Sequence, residues 1–210
     1  MKALVRPSVQ DRSRATEDRI LKATARLLQT DTFETISVRK IVAEAQTSIG
    51  SFYARFRDKD ALLPVLNVRN EHKLIGRIKR LRRSIADANS LFDAADSTAA
   101  HLILRYGDVP NLQRALFEFA MREPDSPEAT ALSARRTEQY RFLHEAFLEY
   151  EHEIVHPDPR RAVELGLYFV AVTCRTRMFY PRAPQARTIR ISKRELRREL
   201  TRLFVGYLTA

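Results

Sequence analysis

The sequence has little cysteine and glycine and no long apolar run, and each shortage excludes a class of protein. Cys174 is the only cysteine, which excludes an intrachain disulfide and a cysteine-rich zinc site. Only 5 glycines occur in 210 residues, and together with abundant Leu, Ala, Arg and Glu this favours helix over sheet. The longest apolar run, over 167–173, is too short to span a bilayer. Because the first residues also lack the apolar core of a signal peptide, we expect a cytoplasmic protein without membrane contact.

The charge balance points toward a polyanionic partner. The chain carries a formal net charge of +11 at pH 7 and has a pI of about 10.2. Charged residues make up 30% and hydrophobic residues 44%, which is a globular balance rather than that of a disordered chain. A positive surplus of this size favours association with nucleic acid, because each phosphate contact by Lys or Arg releases counterions. Charge alone does not distinguish a nucleic-acid-binding protein from one that is merely basic, so the prediction of function depends on sequence motifs.

Apolar residues recur at helical spacing along most of the chain, so we predict an all-α fold. Residues 1–14 are polar and basic and are expected to form a loose arm. Serines precede several of the apolar patterns and are expected to cap the helices that follow. The segment 180–191, with two prolines, is predicted to be a loop. The predicted helices cover 16–29, a short segment from 38, 49–56, a long segment capped by Asp58, 90–105, 110–122, 126–153, 160–179 and 192–208.

The stretch over 35–63 contains two short helices and the start of a third, in an arrangement suited to reading DNA. A helix–short turn–helix lets the second helix enter the major groove while the first braces it. That second helix, over 49–56, begins with small side chains that allow close approach, and basic and phenolic groups follow on its exit side. Arg39, at the head of the preceding helix, has the length to reach a guanine edge. The candidate DNA-binding residues are Arg39, Thr47, Ser48, Ile49, Gly50, Ser51, Tyr53, Arg55 and Lys59.

Three sequence motifs over 19–63 resemble the N-terminal domain of the tetracycline-repressor (tetR) family of bacterial transcription regulators. They are I-L-x-A in the first helix, F-x-x-I-S-V-R-x-I leading into the second, and A-x-x-S-x-G-S-F-Y-A-R-F-R-D-K-D-A-L-L through the third. The resemblance implies phosphate contacts by Tyr53, Arg55 and Lys59. It also implies base contacts by a further set of residues, namely Arg39, Ile49, Gly50 and Ser51.

Two positions depart from the pattern of that family. It usually has glycine after the first helix, where this chain has Thr32, and glycine in the turn between the second and third helices, where this chain has Gln46. A left-handed backbone at a non-glycine residue costs about 1 kcal/mol, so we expect strain at both positions. Phe52 and Phe56, four residues apart, are expected to be core aromatics of the small domain.

The remaining sequence reads as amphipathic helices without a catalytic constellation. By the resemblance, residues 1–60 form an N-terminal arm and a helix-turn-helix DNA-binding domain. A long helix joins this domain to a helical effector-binding and dimerisation domain over 61–210. The apolar faces of the last two helices, 160–179 and 192–208, predict a homodimer, and two-fold symmetry then implies a near-palindromic operator. Cys174 lies in an apolar helix and is expected to be buried and unreactive.

The middle helices are expected to enclose a pocket for a small-molecule effector of unknown identity. Ligand binding would shift the long helix, change the spacing of the two DNA-binding domains and release DNA. The predicted function is that of a transcriptional regulator, by the habit of the family a repressor, and not of an enzyme. The chain has no P-loop and no G-x-G-x-x-G motif, and we expect no cofactor. The candidate ligand-binding residues are Leu102, Ile103, Tyr106, Leu116, Phe117, Phe119, Phe142, Phe147, Tyr168 and Phe169.

A rival motif, H-E-x-x-H, is formed by His152, Glu153 and His156. In zinc peptidases two such histidines, one helical turn apart, bind Zn²⁺ while the glutamate activates water, so a zinc-dependent hydrolase is the alternative function. Pro157 follows at once and places the second histidine at a helix end, and no third ligand follows at an obvious spacing. We therefore predict no catalytic metal, with the motif at the solvent-facing end of the helix over 126–153.

Overall fold

A computed structural model describes the backbone of residues 9–210, so the predicted arm over 1–14 lies largely outside the described residues. Side chains are described for the same range except those of residues 9–12, 71–74, 128, 132, 135 and 185. Residues 9–210 form helices, turns and irregular segments but no strand, which confirms the all-α prediction. None of the helices described combines enough length with enough apolar character to cross a bilayer.

Ten α-helices and one 3-10 helix make up the regular structure of residues 9–210. In chain order these are α1 (Val9–Leu27), α2 (Val38–Glu44), α3 (Ile49–Tyr53), α4 (Leu62–Ala86), α5 (Leu91–Gly107), α6 (Pro110–Arg122), α7 (Pro127–Leu148), the 3-10 helix (Glu151–Glu153), α8 (Pro159–Phe179), α9 (Pro184–Thr188) and α10 (Lys193–Leu208). Five helices begin after a serine whose hydroxyl accepts a hydrogen bond from the backbone N–H three residues on. The capping serines are Ser37, Ser48, Ser90, Ser126 and Ser192.

Several predicted boundaries were wrong. α1 begins at Val9, inside the predicted arm, and α3 ends at Tyr53 rather than at residue 56. The predicted loop over 180–191 contains the short helix α9. α7 ends at Leu148, because the chain turns there and the Tyr150 hydroxyl donates to the carbonyl oxygens of Ile85 at 2.8 Å and Ala88 at 3.2 Å.

The chain divides into two compact units, here named the head and the body. The head consists of the described residues up to Asn70 together with Asn111–Arg122, and so contains α1–α3, the first part of α4 and α6 from Asn111 onward. Phe52 and Phe56 lie in its core, with ring centroids 5.4 Å apart, which confirms the prediction for both residues. The core of the head is otherwise aliphatic and includes Ile20, Leu21, Leu28, Ile36, Ile41, Leu62 and Leu63.

Polar contacts attach α6 to the rest of the head at three places. The Asn111 side-chain amide donates to the carbonyl oxygen of Leu28 at 3.1 Å. Arg114 pairs with Glu34 at 2.5 Å, and Arg122 pairs with Asp60 at 2.9 Å. α6 therefore belongs structurally with the helix-turn-helix, although the sequence separates it from that region by two long helices.

The body consists of Glu71–Pro110 and Glu123–Ala210. α5, α8 and α10 pack around one apolar core, to which Phe147 of α7 contributes a ring 4.8 Å from that of Phe204. Gly166 allows α8 to approach α10 closely, because a Cβ atom at this position would lie 2.5 Å from the Phe204 ring. Cys174 is fully buried, and burial raises the pKa of its thiol to about 12, as expected for an unreactive side chain.

Candidate nucleic-acid interface and body cavity

The turn between α2 and α3 contains the strained residue that the sequence predicted. Gln46 has φ of 51° and is the only non-glycine residue with positive φ in the described part of the chain. Its N–H donates to the carbonyl oxygen of Ala43 at 3.1 Å, and that of Thr47 donates to Val42 at 2.9 Å. This pair of bonds is a Schellman motif, which ends α2 and requires the left-handed residue. The expectation of strain at Thr32 was wrong, because Thr32 keeps negative φ and its carbonyl oxygen accepts from Thr35 at 3.1 Å.

α3 buries one side and exposes the other. Phe52 points into the core, while 42% of the Ile49 surface and 54% of the Tyr53 surface remain accessible. Ser48 and Gly50 are exposed, and Ser51 is half-buried with its N–H donating to the Ser48 hydroxyl at 3.1 Å. The first turn of α3 therefore presents small and apolar groups that an approaching macromolecule can reach.

Two predicted residues flank α3. Arg39 is exposed on α2, and Thr47 is half-buried in the turn. The structure thus brings Arg39 and the residues of 47–53 into one segment of the head, from the cap of α2 to the end of α3. The predicted contacts of these side chains with bases and phosphates stay predictions.

Arg55 and Lys59, both predicted to contact phosphate, hold parts of the head together. The Arg55 guanidinium donates to the carbonyl oxygens of Ser51 at 2.7 Å and Ser13 at 3.2 Å, linking α3 to α1. The Lys59 ammonium donates to the carbonyl oxygens of Phe33 at 2.7 Å and Ile36 at 3.1 Å. It also lies 4.6 Å from the centroid of the Phe33 ring. Lys59 thus fixes the segment between α1 and α2.

A cavity in the body lies between α5, α7 and α8, and its free volume is about 40 Å³. Among the predicted ligand-binding residues, Leu102 and Tyr106 line it. The lining residues are Thr98, Leu102, Arg105, Tyr106, Arg136, Gln139, Tyr140, Leu143, Leu167, Ala171, Arg175 and Phe179.

The structure places the other predicted ligand-binding residues away from this cavity. Ile103 and Phe147 are buried in the body core, and Phe142 packs against that core. Tyr168 and Phe169 are exposed on α8, because helical spacing turns both away from the direction of the inward-facing Leu167. The remaining three belong to α6 of the head, namely Leu116, Phe117 and Phe119.

The cavity wall is more basic than the sequence suggested. Arg105, Arg136 and Arg175 come from three different helices, and none of them was among the predicted ligand-binding residues. Burial, followed by the charges of Arg105 and Arg175, lowers the pKa of Arg136. Burial, and next the neighbouring Tyr106, raises the pKa of Tyr140 to about 12. Arg136 and Tyr140 lie four residues apart on the face of α7 that also carries Leu143, and this inward face was the available sequence signal.

A hydrogen-bonded chain lies behind the cavity. Arg105 donates to the side-chain oxygen of Gln139, so the Gln139 amide nitrogen faces His101 Nε2 at 3.1 Å and donates to it. An accepting Nε2 is unprotonated, which requires a neutral imidazole. Burial, followed by the charges of Arg105, Arg77 and Arg80, lowers the pKa of His101 to about 4.

The H-E-x-x-H motif does not form a helical metal site. The 3-10 helix ends at Glu153, and Ile154 is extended, so His152 and His156 are not one helical turn apart. Glu153 instead accepts a hydrogen bond from the Leu91 N–H at 3.0 Å, at the start of α5. Among the described residues, no group of three or more His, Cys, Asp or Glu side chains is placed to hold a metal ion. The expectation that the motif ends a continuous helix was also wrong.

The N-terminal region of the chain matches a known protein family. Residues 20–66 match the family model of bacterial regulatory proteins, tetR family. No curated protein sequence matches the chain at a significant level. The matched residues contain α2, α3 and the turn between them.

Solved structures of similar fold cover nearly the whole chain at low identity. A tetR-family bacterial regulatory protein from Rhodococcus RHA1 has a TM-score of 0.67 at 16% identity, over 94% of this chain and 98% of that chain. The ketosteroid transcriptional regulator KstR2 of Mycobacterium tuberculosis has a TM-score of 0.62 at 16% identity, over 97% of both chains. The transcriptional regulator FadR of Bacillus subtilis, solved in complex with stearoyl-CoA, has a TM-score of 0.58 at 15% identity, over 90% of this chain and 98% of that chain. These similarities establish a shared fold.

Proposed function

We propose that this chain, which carries the N-terminal DNA-binding domain of the tetR family of bacterial regulatory proteins, is a repressor that a small-molecule effector releases from a near-palindromic operator. It acts in the cytoplasm, where bacterial DNA lies, and it is a regulator rather than an enzyme. DNA binding belongs to residues 1–60, and effector binding and dimerisation belong to 61–210. The observation that carries the proposal is the exposed first turn of α3, within the residues that match the family.

Gly50 supports a close approach of DNA to α3. A Cβ atom at this position would meet only the Ser48 hydroxyl, at 3.9 Å, so the packing of the chain does not require glycine. Glycine within a helix costs about 1 kcal/mol relative to alanine, so its use here needs a reason outside the chain. We propose that the backbone of α3 comes against the DNA at Gly50, with Ile49 and Ser51 facing base edges.

The flanking groups have different roles in this proposal. Exposed Tyr53 donates its hydroxyl to a phosphate, and exposed Arg39 contacts a base edge. Arg55 and Lys59 act first as positioning residues, because their donors already bind carbonyl oxygens of the head. Any phosphate contact that they make adds to this internal role.

Selection of duplexes from a random pool with the full-length protein tests the proposal. We expect enrichment of near-palindromes whose half-sites are about one helical turn, 34–36 Å, or more apart. Arg39→Ala should lose about 1–3 kcal/mol on the selected duplex and relax base preference, whereas Tyr53→Ala should weaken selected and unrelated duplexes alike. Absence of any enriched sequence would refute the DNA-reading role of α3.

A homodimer formed through α8 and α10 would pair two heads on one operator. The surfaces of Tyr168 and Leu203 are 57% and 51% accessible, and that of Phe169 is 43% accessible. The Phe169 ring lies 5.7 Å from that of Tyr207, so α8 and α10 share one apolar surface. Burial of such a surface against its own copy explains why it is apolar.

The dimer proposal is tested by comparing two glutamate substitutions. Phe169→Glu should shift the protein from dimer to monomer in light scattering, because it places a charge in the shared surface. Phe92→Glu is the matched control, since Phe92 is a similarly exposed phenylalanine, 47% accessible, on a third helix, α5. Equal dimer content in both variants would contradict an interface on α8 and α10.

Effector binding would act through the helices that line the cavity. α5 supplies Leu102, Arg105 and Tyr106, and the next helix in the chain is α6, which is attached to the head by Arg114 and Arg122. A ligand that moves α5 therefore acts on a helix that is joined to the DNA-reading unit. The complex of FadR with stearoyl-CoA supports effector binding in this fold. A screen for compounds that displace the selected duplex tests release, and failure of every cavity-binding compound to weaken DNA binding would refute it.

A further inference from the structure

The wall of the body cavity has two chemically distinct parts. Arg105 of α5, Arg136 of α7 and Arg175 of α8 supply guanidinium groups from three sides. Apolar side chains form the other part, which consists of Leu102, Leu143, Leu167, Ala171 and Phe179. Tyr106, Tyr140, Gln139 and Thr98 add neutral hydrogen-bonding groups.

The wall itself contains no opposite charge. None of the twelve lining residues, all within the described part of the chain, carries a carboxylate. Mutual repulsion is evident at Arg136, whose pKa is lowered by burial and then by the charges of the other two arginines. The three guanidinium groups therefore maintain a concentrated positive field in a partly dehydrated space, where electrostatic interactions are stronger than in water.

Arg105 lines the cavity, and one of its N–H donors, at Nε, is not used in a hydrogen bond within the described residues. One of its terminal nitrogens donates to Gln139, whose amide is in turn oriented by His101. Its Nε is buried and has no hydrogen-bond partner among the described residues. A buried donor without a partner costs about 1–3 kcal/mol, and a ligand acceptor in the cavity would remove that cost.

We infer that the cavity binds an organic anion, with a carboxylate or phosphate group among Arg105, Arg136 and Arg175 and an apolar ring or short chain against Leu102, Leu143 and Leu167. Guanidinium groups match both anions because they bind them in bidentate fashion. The inference rests on the proposed function, since it names the class of effector for the same cavity.

The size of the cavity adds a mechanical consequence. A free volume of about 40 Å³ holds a small polar group, while a complete organic ligand needs several times more space. The apolar part of the ligand must therefore displace lining side chains or separate α7 from α5 and α8. Binding thus moves the walls of the cavity, which is the requirement for a ligand that releases DNA.

Fluorine NMR with a matched probe series tests the inference. The probes are 4-fluorobenzoate, 4-fluorophenyl phosphate, 4-fluorobenzamide and 4-fluorobenzylammonium, which share one ring and differ in the head group. We expect at least one anion to bind the full-length protein about tenfold or more tighter than the amide, with the ammonium weakest. The order of benzoate and phenyl phosphate identifies which anion the natural effector carries.

Two variants that each remove one positive charge test whether the preference for anions arises in the cavity. Arg136→Gln should abolish the preference for the anion over the amide, whereas Arg141→Gln, on an exposed position of the same helix, should preserve it. The head-group comparison in the wild-type protein decides the question even if Arg136→Gln fails to fold. Equal binding of the anions and the amide, stronger binding of the ammonium, or binding of no probe at millimolar concentration overturns the inference.

Operator binding, measured on the same samples, separates this inference from the proposed function. If the wild-type protein binds its selected duplex but does not prefer anions, the proposed regulatory role stands and the inferred class of effector is refuted. If the protein prefers anions but selects no duplex, the cavity still binds an organic anion and the proposed DNA-reading role is refuted.

Discussion

The head and the wall of the body cavity differ in the carboxylates that accompany their basic side chains. In the head, several surface cations pair with carboxylates: Arg26 with Glu44, Lys40 with Asp31, Arg69 with Asp18, Arg114 with Glu34 and Arg122 with Asp60. In the cavity, three arginines share a wall that contains no carboxylate. A net charge of +11 therefore does not by itself mark a DNA surface. The position of each charge decides its role, and the exposed part of α3 is itself uncharged.

The largest expected effect concerns His101, which lies behind the cavity cations. Its pKa in the folded protein is about 4, below the ordinary 6.5, so the unfolded chain binds a proton more readily. Stability from this residue is therefore complete above about pH 6.5 and is lost as the pH falls toward about 4, with a total near 3 kcal/mol. Urea unfolding across this pH range measures the loss.

The control for His101 is a histidine without this environment. His101→Gln should remove most of the pH dependence in this range, because the group that gains the proton is gone. His152→Gln should keep the loss of stability that His101 causes, because it leaves the hydrogen bond between Gln139 and His101 and the neighbouring arginines in place. Equal slopes in the wild type and His101→Gln would show that burial and the neighbouring arginines do not lower the pKa of this imidazole.

Two glycines extend the comparison between the body and the head. Gly166→Ala should destabilise the protein by about 1–3 kcal/mol, because the added methyl group meets the Phe204 ring in a packed core. Gly50→Ala should keep or raise stability by up to about 1 kcal/mol, since alanine favours helix and has space there. Only Gly50→Ala should weaken operator binding with the fold intact. Denaturation and DNA titration of both variants check this, and the reverse pattern would contradict the proposed approach at α3.

Substitutions of Lys59 and Tyr53 distinguish a residue that holds the head together from one that contacts DNA. Lys59→Met should lower stability by about 2 kcal/mol, because the carbonyl oxygens of Phe33 and Ile36 lose a charged donor. Tyr53→Ala should change stability by less than about 0.5 kcal/mol, since its side chain is largely exposed. Thermal unfolding separates the two. If Lys59→Met is as stable as the wild type, Lys59 is not a positioning residue, and phosphate contact is then its remaining proposed role.

The smallest effect is expected at Gln46. Gln46→Gly should raise stability by about 1 kcal/mol or less, because removal of left-handed strain exceeds the added freedom of the unfolded chain. The control Gln29→Gly, at an exposed position after α1, lacks positive φ and should give no gain. A loss of stability in Gln46→Gly would mean that its side chain contributes more than its backbone costs.

The helix-turn-helix of the head was predictable from the sequence because its signals are local. Ser37 and Ser48 cap the helices that begin one residue later, and Gln46 occupies a turn that only a left-handed residue completes. The cavity was not predictable, because Arg105, Arg136 and Arg175 meet only when three helices distant in sequence pack together. Aromatic residues were a poor guide to the lining, since Phe147 fills the core and Tyr168 faces outward. The end of α7 also escaped prediction, because it depends on the long-range hydrogen bonds of Tyr150.

Hydrogen exchange of the full-length protein, with and without its selected duplex, tests most directly whether α3 is the DNA-reading element. We expect slower exchange of backbone amides over residues 46–53 when DNA is bound, with little change around the cavity wall. A stable DNA complex in which these amides exchange as fast as in the free protein, while protection appears elsewhere, would contradict it.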